Sequence, residues 1–236
     1  MTTSIILAGI LLVVVLVVVV WRSASARQSI PCPVWLHWLV EVDNPFTKTN
    51  RAAFIVNTLS LSRGMAVLDA GCGPGRLTVP LAESVGSCGR IVALDIQPGM
   101  LDRARSKVKA AGVENVEFMA ANIGSGALPP NHFDREVLVT VLGEIPNQQA
   151  AFAELFEALK PGGILAVVEV IFDPHFQSRR TVEKLAASVG FRERAFFGHK
   201  LAYVAHFERP NSGRQTVPSD AAANAPAPPK AGASHQ

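Results

Sequence analysis

A loop of alternating glycines carries the first chemical signal in this chain. Asp69-Ala70-Gly71-Cys72-Gly73-Pro74-Gly75 follows a short apolar run, Ala66-Val67-Leu68-Asp69, and precedes a helix expected to begin near Arg76. Glycines in such a turn let backbone N–H groups approach a ligand without a Cβ in the way. Asp95 ends a second apolar run, Ile91-Val92-Ala93-Leu94-Asp95, and lies 20 residues beyond Gly75. A carboxylate at that place can accept both hydroxyls of a ribose. The combination predicts a nucleoside site. The glycines are spaced G-x-G-x-G, whereas a dinucleotide fold spaces them G-x-G-x-x-G to admit a pyrophosphate. An acid, Asp69, stands two residues before the first glycine. An acidic group favours a ligand carrying an ammonium over one carrying phosphates.

Two further side chains are candidates for proton chemistry. Glu144, in Gly143-Glu144-Ile145-Pro146, follows an apolar run over 137–142 and is expected to face an acceptor. His175, in Phe172-Asp173-Pro174-His175, follows the run over 164–171 and is a candidate base near neutral pH. Glu169, Asp173 and His175 have no spacing that suits a metal, so none is expected. No Cys/His or Ser/His/Asp arrangement is discernible. The three cysteines, Cys32, Cys72 and Cys88, show no C-x-x-C spacing, which fits a reducing compartment. Cys72, inside the glycine loop, reads as a small hydrophobe.

The elements that must hold these residues alternate. Short apolar runs at 66–69, 91–95, 116–119, 137–142 and 164–171 suit parallel strands covered on both faces. Between them, Leu101, Ala104, Val108 and Ala111 form a helical stripe ended by Gly112. Phe152, Leu155, Phe156 and Leu159 form another, stopped by Lys160-Pro161-Gly162, and Val182, Leu185, Ala186 and Val189 a third, with Gly190 after it. Strands alternating with helices predict βαβ units and a doubly wound α/β sheet. In such sheets ligands sit beyond the carboxyl ends of the strands, where Glu144 and His175 fall.

Three blocks, VLDAGCGPGRLTVPLA, IVALDIQPGML and LFEALKPGGILAVVEV, resemble those of class I S-adenosylmethionine-dependent methyltransferases. The similarity covers roughly residues 47–207. The resemblance implies a Rossmann-like seven-stranded sheet with an antiparallel last strand, with 191–197 and 201–207 supplying the final two. It implies S-adenosyl-L-methionine as cofactor. Gly71, Gly73 and Gly75 would then line the methionine moiety, with Asp69 near its ammonium and Asp95 on the ribose hydroxyls. Ile96 and Met100 would pack on the adenine. Ala121-Asn122-Ile123 stands where the family often has Gly-Asp-Ala, so Asn122 would meet the adenine amino group through its carbonyl.

The remaining chain bears on location. Residues 5–21 are a 17-residue uncharged run, nearly all Leu, Ile and Val, which reaches ~25 Å as a helix. Ala24-Ser25-Ala26 resembles a cleavage site, but no Lys or Arg precedes the run, and Arg22 and Arg27 follow it. An uncleaved anchor over 1–27 with a cytoplasmic catalytic domain is expected. Residues 28–63 are expected to form interfacial or lid helices, because Trp35 and Trp38 lie one helical turn apart. Asp43, Asn44, Lys48 and Arg51 would then lie near the pocket. Residues 64–209 form the expected catalytic domain, and 210–236, rich in Ala, Pro, Ser and Gly, an expected disordered tail.

Between residues 30 and 209 there are 18 Lys/Arg and 18 Asp/Glu. A neutral body argues against nucleic acid, which needs a basic stripe. The expectation is a single-pass membrane methyltransferase acting on a small or lipophilic acceptor: a phospholipid amine, a quinone-type ring or a small thiol. The competing readings are a cofactor-binding scaffold without catalysis and a nicotinamide-dependent oxidoreductase.

Overall fold

The computed structural model describes residues 47–211 and, upstream, the isolated positions Gly9, Val13 and Leu16. Apart from Gly9, Val13 and Leu16, the expected anchor lies outside the described residues, as do most of the expected lid segment and the expected tail from residue 212 on. Gly9, Val13 and Leu16 are helical, and Val13 and Leu16 are 60% and 61% exposed. No helix among the described residues is long and apolar enough to cross a membrane.

Seven strands form one sheet. They are β1 (Ala66–Ala70), β2 (Arg90–Asp95), β3 (Val116–Ala120), β4 (Phe133–Val139), β5 (Leu159–Val170), β6 (Arg192–His199) and β7 (Ala202–Glu208). Their order is β3-β2-β1-β4-β5-β7-β6. The first five run parallel, and β7 lies antiparallel between β5 and β6. This is the doubly wound sheet the alternation of runs predicts, with its last strand reversed.

Side chains alternate across the strands, so each face buries its own set. On one face Leu68, Leu138, Leu165, Val167 and Tyr203 meet α4 (Gln148–Ala158) and α5 (Arg179–Val189), through Phe152, Leu155, Val182 and Ala186. On the other, Val67, Val137, Ala166, Val168 and Val204 meet α1 (Ala52–Thr58) and α2 (Thr78–Val85), through Ile55, Leu81 and Val85. Leu101 and Ala104 of α3 (Pro98–Ala110) close over Ala93 and Cys72. Caps fix where the helices start and stop. Asn147 accepts from the Ala150 N–H at 3.0 Å, and Ser178 from the Thr181 N–H at 3.2 Å. Gly190 ends α5 at φ 107°, where a side chain would be strained.

Three boundaries differ from the periodicity. The helix after the glycine loop starts at Thr78 rather than near Arg76, because residues 71–77 are spent on the turn. β4 begins at Phe133, four residues before the apolar run expected from 137, and ends at Val139. Leu142, expected in that strand, instead opens a 3-10 turn over Leu142–Glu144. Leu159, expected in the helical stripe, is the first residue of β5, paired with Phe133. The sheet's demand for a backbone partner overrides helical spacing there.

Candidate active site

The glycine loop is held by backbone bonds. The N–H groups of Gly71 and Cys72 donate to the Leu94 carbonyl at 2.7 and 2.9 Å, which ties the end of β1 to the end of β2. All three glycines have positive φ: 72° at Gly71, 53° at Gly73 and 81° at Gly75. They differ in what a side chain would meet. A Cβ on Gly71 would lie 2.5 Å from a Val141 methyl, and one on Gly75 would lie 3.0 Å from the backbone of Ala104 in α3. A Cβ on Gly73 would meet nothing within 4 Å and would stand beside the open cradle of the loop. Gly71 and Gly75 therefore let the loop pack against its neighbours, and Gly73 keeps the ligand side clear.

Asp95 sits at the end of β2, and each carboxylate oxygen accepts a backbone N–H. One takes Gly73 at 2.9 Å and the other Gln97 at 2.8 Å. Burial pushes its carboxyl up, and the N–H groups of Gln97, Gly73 and Ile96 oppose that shift. With about four lone-pair sites, the carboxylate keeps accepting capacity for a ribose hydroxyl beside these donors. Asp95 thus anchors the loop as well as facing the place expected for a ribose.

Asp69 is 3% exposed and accepts a hydrogen bond from the Thr78 hydroxyl at 2.7 Å. Burial pushes its carboxyl up to about 6, against the Thr78 hydrogen bond and the Arg76 charge; Asp95 adds to the rise. A buried acid with this strained charge is stabilised by any cation brought beside it. The ammonium of a bound amino acid is such a cation. The open Gly73 cradle, the buried Asp69 acid and the lone pairs of Asp95 fit S-adenosylmethionine.

Two cavities meet at this loop. A narrow one of about 90 Å³ is lined by Asp69, Gly71, Gly73, Met100 and Arg76. A wide one of about 470 Å³ is lined by Ile96, Ala121, Asn122, Ile123, Ile145 and Pro146. Gly71, Asp95, Gln97, Val141 and Glu144 line both. Ile96 and Asn122 therefore line the same cavity, with Ile96 48% exposed. Met100, expected to share the adenine with Ile96, is 2% exposed and belongs to the narrow cavity instead. It opens α3, whose first turn buries it beneath the loop, while Ile96 precedes the helix and points out.

Glu144 stands in the 3-10 turn after β4, on the wall of both cavities. His175 Nδ1 lies 3.9 Å from a Glu144 oxygen and 3.9 Å from an Asp173 oxygen. The turn and the loop after β5 are locked together, since a Cβ on Gly143 would lie 2.0 Å from the His175 carbonyl oxygen. The structure thus brings the two candidate bases side by side but gives them different surroundings. His175 is 6% exposed, lines neither cavity, and its Nε2 is buried with no hydrogen-bond partner. It stands behind Glu144 instead of facing a substrate, as a direct base would. No group of His, Cys, Asp and Glu that could hold a metal occurs among the described residues.

Other lining residues were not singled out by sequence. Arg76 donates to the Asn50 carbonyl at 2.6 Å and its side-chain oxygen at 3.1 Å, which fastens the turn Lys48–Asn50 beside the loop. Lys48, expected near the pocket, places its ammonium over the Phe54 ring at 5.9 Å. Gln97, two residues after Asp95, had a local signal, because an aspartate commonly accepts from the N–H two residues on. Val141 had none, since its contact with Gly71 arises only when β1 and β4 become neighbours. The Cys72 thiol, 7% exposed, is pushed well up by burial and by Asp69 and Asp95, as an inert packing group would be.

The comparisons with known proteins agree with this geometry. A family model described as "Methyltransferase domain" matches residues 61–206. The chain is 37% identical over 117 residues to the ubiquinone/menaquinone biosynthesis C-methyltransferase UbiE of Shewanella pealeana, covering 49% of this chain and 47% of that one. It is 35% identical over 125 residues to the protein of that name from Cronobacter sakazakii, covering 51% and 50%. The chain thus spans about half the length of the curated relatives it matches. Among solved structures, a SAM-dependent methyltransferase from Aquifex aeolicus superposes with a TM-score of 0.67 at 22% identity, over 75% of this chain and 98% of that one. The [4+2]-cyclase SpnF superposes at 0.61 with 16% identity, over 69% and 81%, so the fold alone does not fix the reaction. With a family match over most of the chain and a loop whose residues fit the cofactor, the chain belongs to the methyltransferase-domain family, and its sheet carries an S-adenosylmethionine-dependent methyltransferase domain.

Proposed function

We propose that this chain is a membrane-associated S-adenosylmethionine-dependent methyltransferase that methylates a ring carbon of a lipophilic quinone-type acceptor. The observation that carries the reading is Glu144, a carboxylate on the wall shared by the glycine-loop cavity and the wide, partly apolar one. The names of the curated relatives favour a quinone-type ring over the phospholipid amine and the small thiol. The uncharged run over 5–21 supports a single-pass anchor with the domain on the cytoplasmic side.

When bound, the cofactor supplies an electrophilic methyl group on a cationic sulfur. Asp69 would hold the ammonium and Asp95 the ribose, while Ile96 and Asn122 would flank the adenine. Met100 packs under the loop, and Gly71, Gly73 and Gly75 keep the backbone close to the methionine portion. Glu144 would accept the proton of the ring hydroxyl, which raises electron density on the neighbouring carbon. That carbon exchanges its hydrogen for the methyl group, the hydrogen leaving as a proton as the ring regains aromaticity, with S-adenosylhomocysteine as the departing thioether. His175, whose Nδ1 lies 3.9 Å from Glu144 and 3.9 Å from Asp173, stands behind Glu144 as a positioning residue. Val141, Ile145 and Pro146 give the junction its apolar lining.

The test is transfer of labelled methyl from S-adenosylmethionine to three acceptors presented in vesicles: a prenylated hydroquinone, phosphatidylethanolamine and a lipophilic thiol. Label on the ring carbon is expected. Label on the amine or the thiol alone would replace the quinone reading. Glu144→Gln should lower kcat by at least ~100-fold, the ordinary yield of a general base, and leave the cofactor Kd within about twofold. An unchanged kcat would remove Glu144 from the chemistry.

A further inference from the structure

The domain's exposed apolar side chains are not scattered. Among the described residues of the domain, the large apolar side chains standing exposed are Ile96, Phe172 and Leu201, at 48%, 66% and 42%. All three lie at the same end of the sheet. Ile96 follows the last residue of β2, Phe172 comes two residues after β5, and Leu201 precedes the antiparallel β7. That end carries the carboxyl termini of the parallel strands and the mouths of both cavities. Phe172 and Leu201 are neighbours, because the Ile171 N–H donates to the Leu201 carbonyl at 2.7 Å. Single exposed apolar residues need no explanation, but ones gathered on the rim of a site do.

The charges on this rim are sorted. Lys200, at the tip of the β6–β7 hairpin, and Lys48, in the turn beside it, are exposed. Thr49 of that turn packs on Gly198 of the hairpin, where a Cβ would lie 2.8 Å from its methyl. The nearby acids turn inward, with the Glu144 and Asp173 side chains 18% exposed. The chain also enters the domain here. The 46 residues upstream, with their uncharged run over 5–21, join at Thr47, directly before that turn.

We propose that this rim is a lipid-facing surface that seats the domain on an anionic bilayer. Phe172 and Leu201 enter the interfacial layer, with Lys48 and Lys200 on the headgroup phosphates. The cavity mouth then opens toward the bilayer, so a lipophilic acceptor reaches Glu144 without crossing water. The surface deepens the membrane part of the proposed function, but it does not depend on which acceptor is methylated.

The test uses the full chain in vesicles of phosphatidylcholine with about a third phosphatidylglycerol. Cys32 and Cys88 are replaced by Ser, and the buried Cys72 is left in place. A polarity-sensitive fluorophore is attached at Leu201→Cys, at Phe172→Cys or at Glu114→Cys. Glu114 is exposed and precedes β3, at the opposite end of the sheet. Brominated phosphatidylcholine is expected to quench the labels at 172 and 201 at least threefold more than the label at 114. Lys48→Ala with Lys200→Ala, or omission of phosphatidylglycerol, is expected to reduce that difference at least twofold. Flotation of the chain with the vesicles reports the anchor separately. Flotation with equal quenching at all three positions would overturn the rim and leave the anchor standing. No flotation, with no quenching at 172 or 201, would overturn both.

Discussion

Asp69 shows how a buried charge can be kept for a ligand. Its carboxyl is pushed from 3.8 up to about 6 by burial, with only the Thr78 hydroxyl and the Arg76 charge opposing. A shift of about two pH units corresponds to ~3 kcal/mol. The sign follows from linkage. The folded pKa is raised, so the folded state binds this proton more tightly; its stabilising effect is full below about 4 and lost as pH rises through 6. Asp69→Asn keeps an acceptor for Thr78 and removes the ionised acid. Its ligand-free melting temperature should exceed that of the parent at pH 7, and the gain should vanish by pH 4. Calorimetry at the two pH values checks this, and equal differences at both would mean the acid is not the source. The parent's Kd for S-adenosylmethionine should rise about tenfold per pH unit below 6 as Asp69 protonates, and in the Asn variant that dependence should be absent. Asp95 has a different part, because both its oxygens already hold N–H donors. Asp95→Ala orphans the Gly73 and Gln97 N–H groups along with the ribose hydroxyls. Charge-assisted bonds contribute ~1.5–3 kcal/mol each, so cofactor affinity should fall at least ~10-fold. Titration calorimetry on a correctly folded variant would show an unchanged Kd if neither part were real.

At the scale of elements, the site depends on two loops meeting. The turn after β4 and the loop after β5 touch where Gly143 faces the His175 carbonyl, a place with no room for a Cβ. Gly143→Ala should cost about 3 kcal/mol, at the upper end for overpacking because the obstacle is backbone. In a domain of this size that lowers the melting temperature by ~6–12 °C. Turnover should fall further than stability alone explains, because Glu144 shifts with its turn; a variant with parental turnover would disprove the coupling. This junction also marks where sequence reasoning stopped. The glycine loop and Asp95 were legible because a strand, a turn and the next strand's end are consecutive, so their spacing is their geometry. The count of seven strands and the reversed last strand were legible through the family blocks. The nearness of Glu144 to His175, and the burial of His175, were not, since both need β4 and β5 to be paired. The start of β4 was hidden for a related reason. Asp134, Arg135 and Glu136 stand outside the apolar run that marked the strand, yet Asp134 accepts from the Ala66 N–H and Lys160, and Arg135 donates to the Leu59 carbonyl. Glu136 is fully buried, with neither oxygen hydrogen-bonded and its carboxyl pushed well up by burial. Three charged residues in a row hide the start of a strand until its partners are known.

At the scale of the whole molecule, two features point the same way: the uncharged run over 5–21 and an apolar, basic rim at the cavity mouth. The first would tether the domain and the second would orient it. Deleting residues 1–27 separates them, since no residue of the glycine loop, of the strands or of Glu144's turn lies in that stretch. The cofactor Kd should stay within about twofold of the parent. Turnover of a water-soluble hydroquinone should also be unchanged, because the chemistry lies within the domain. Turnover of a prenylated hydroquinone in vesicles should fall at least ~10-fold, as the domain loses the high local concentration a tether confers. A single rim of two apolar side chains gives only weak, reversible binding, so the shortened chain should sediment with anionic vesicles at low salt and leave them at high salt. The methyl-transfer assay and vesicle sedimentation, run on both chains, decide it. Equal turnover of the vesicle-borne acceptor by both chains would mean that tethering contributes nothing. Loss of cofactor binding on deletion would mean that residues 1–27 form part of the site, against everything the loop geometry implies.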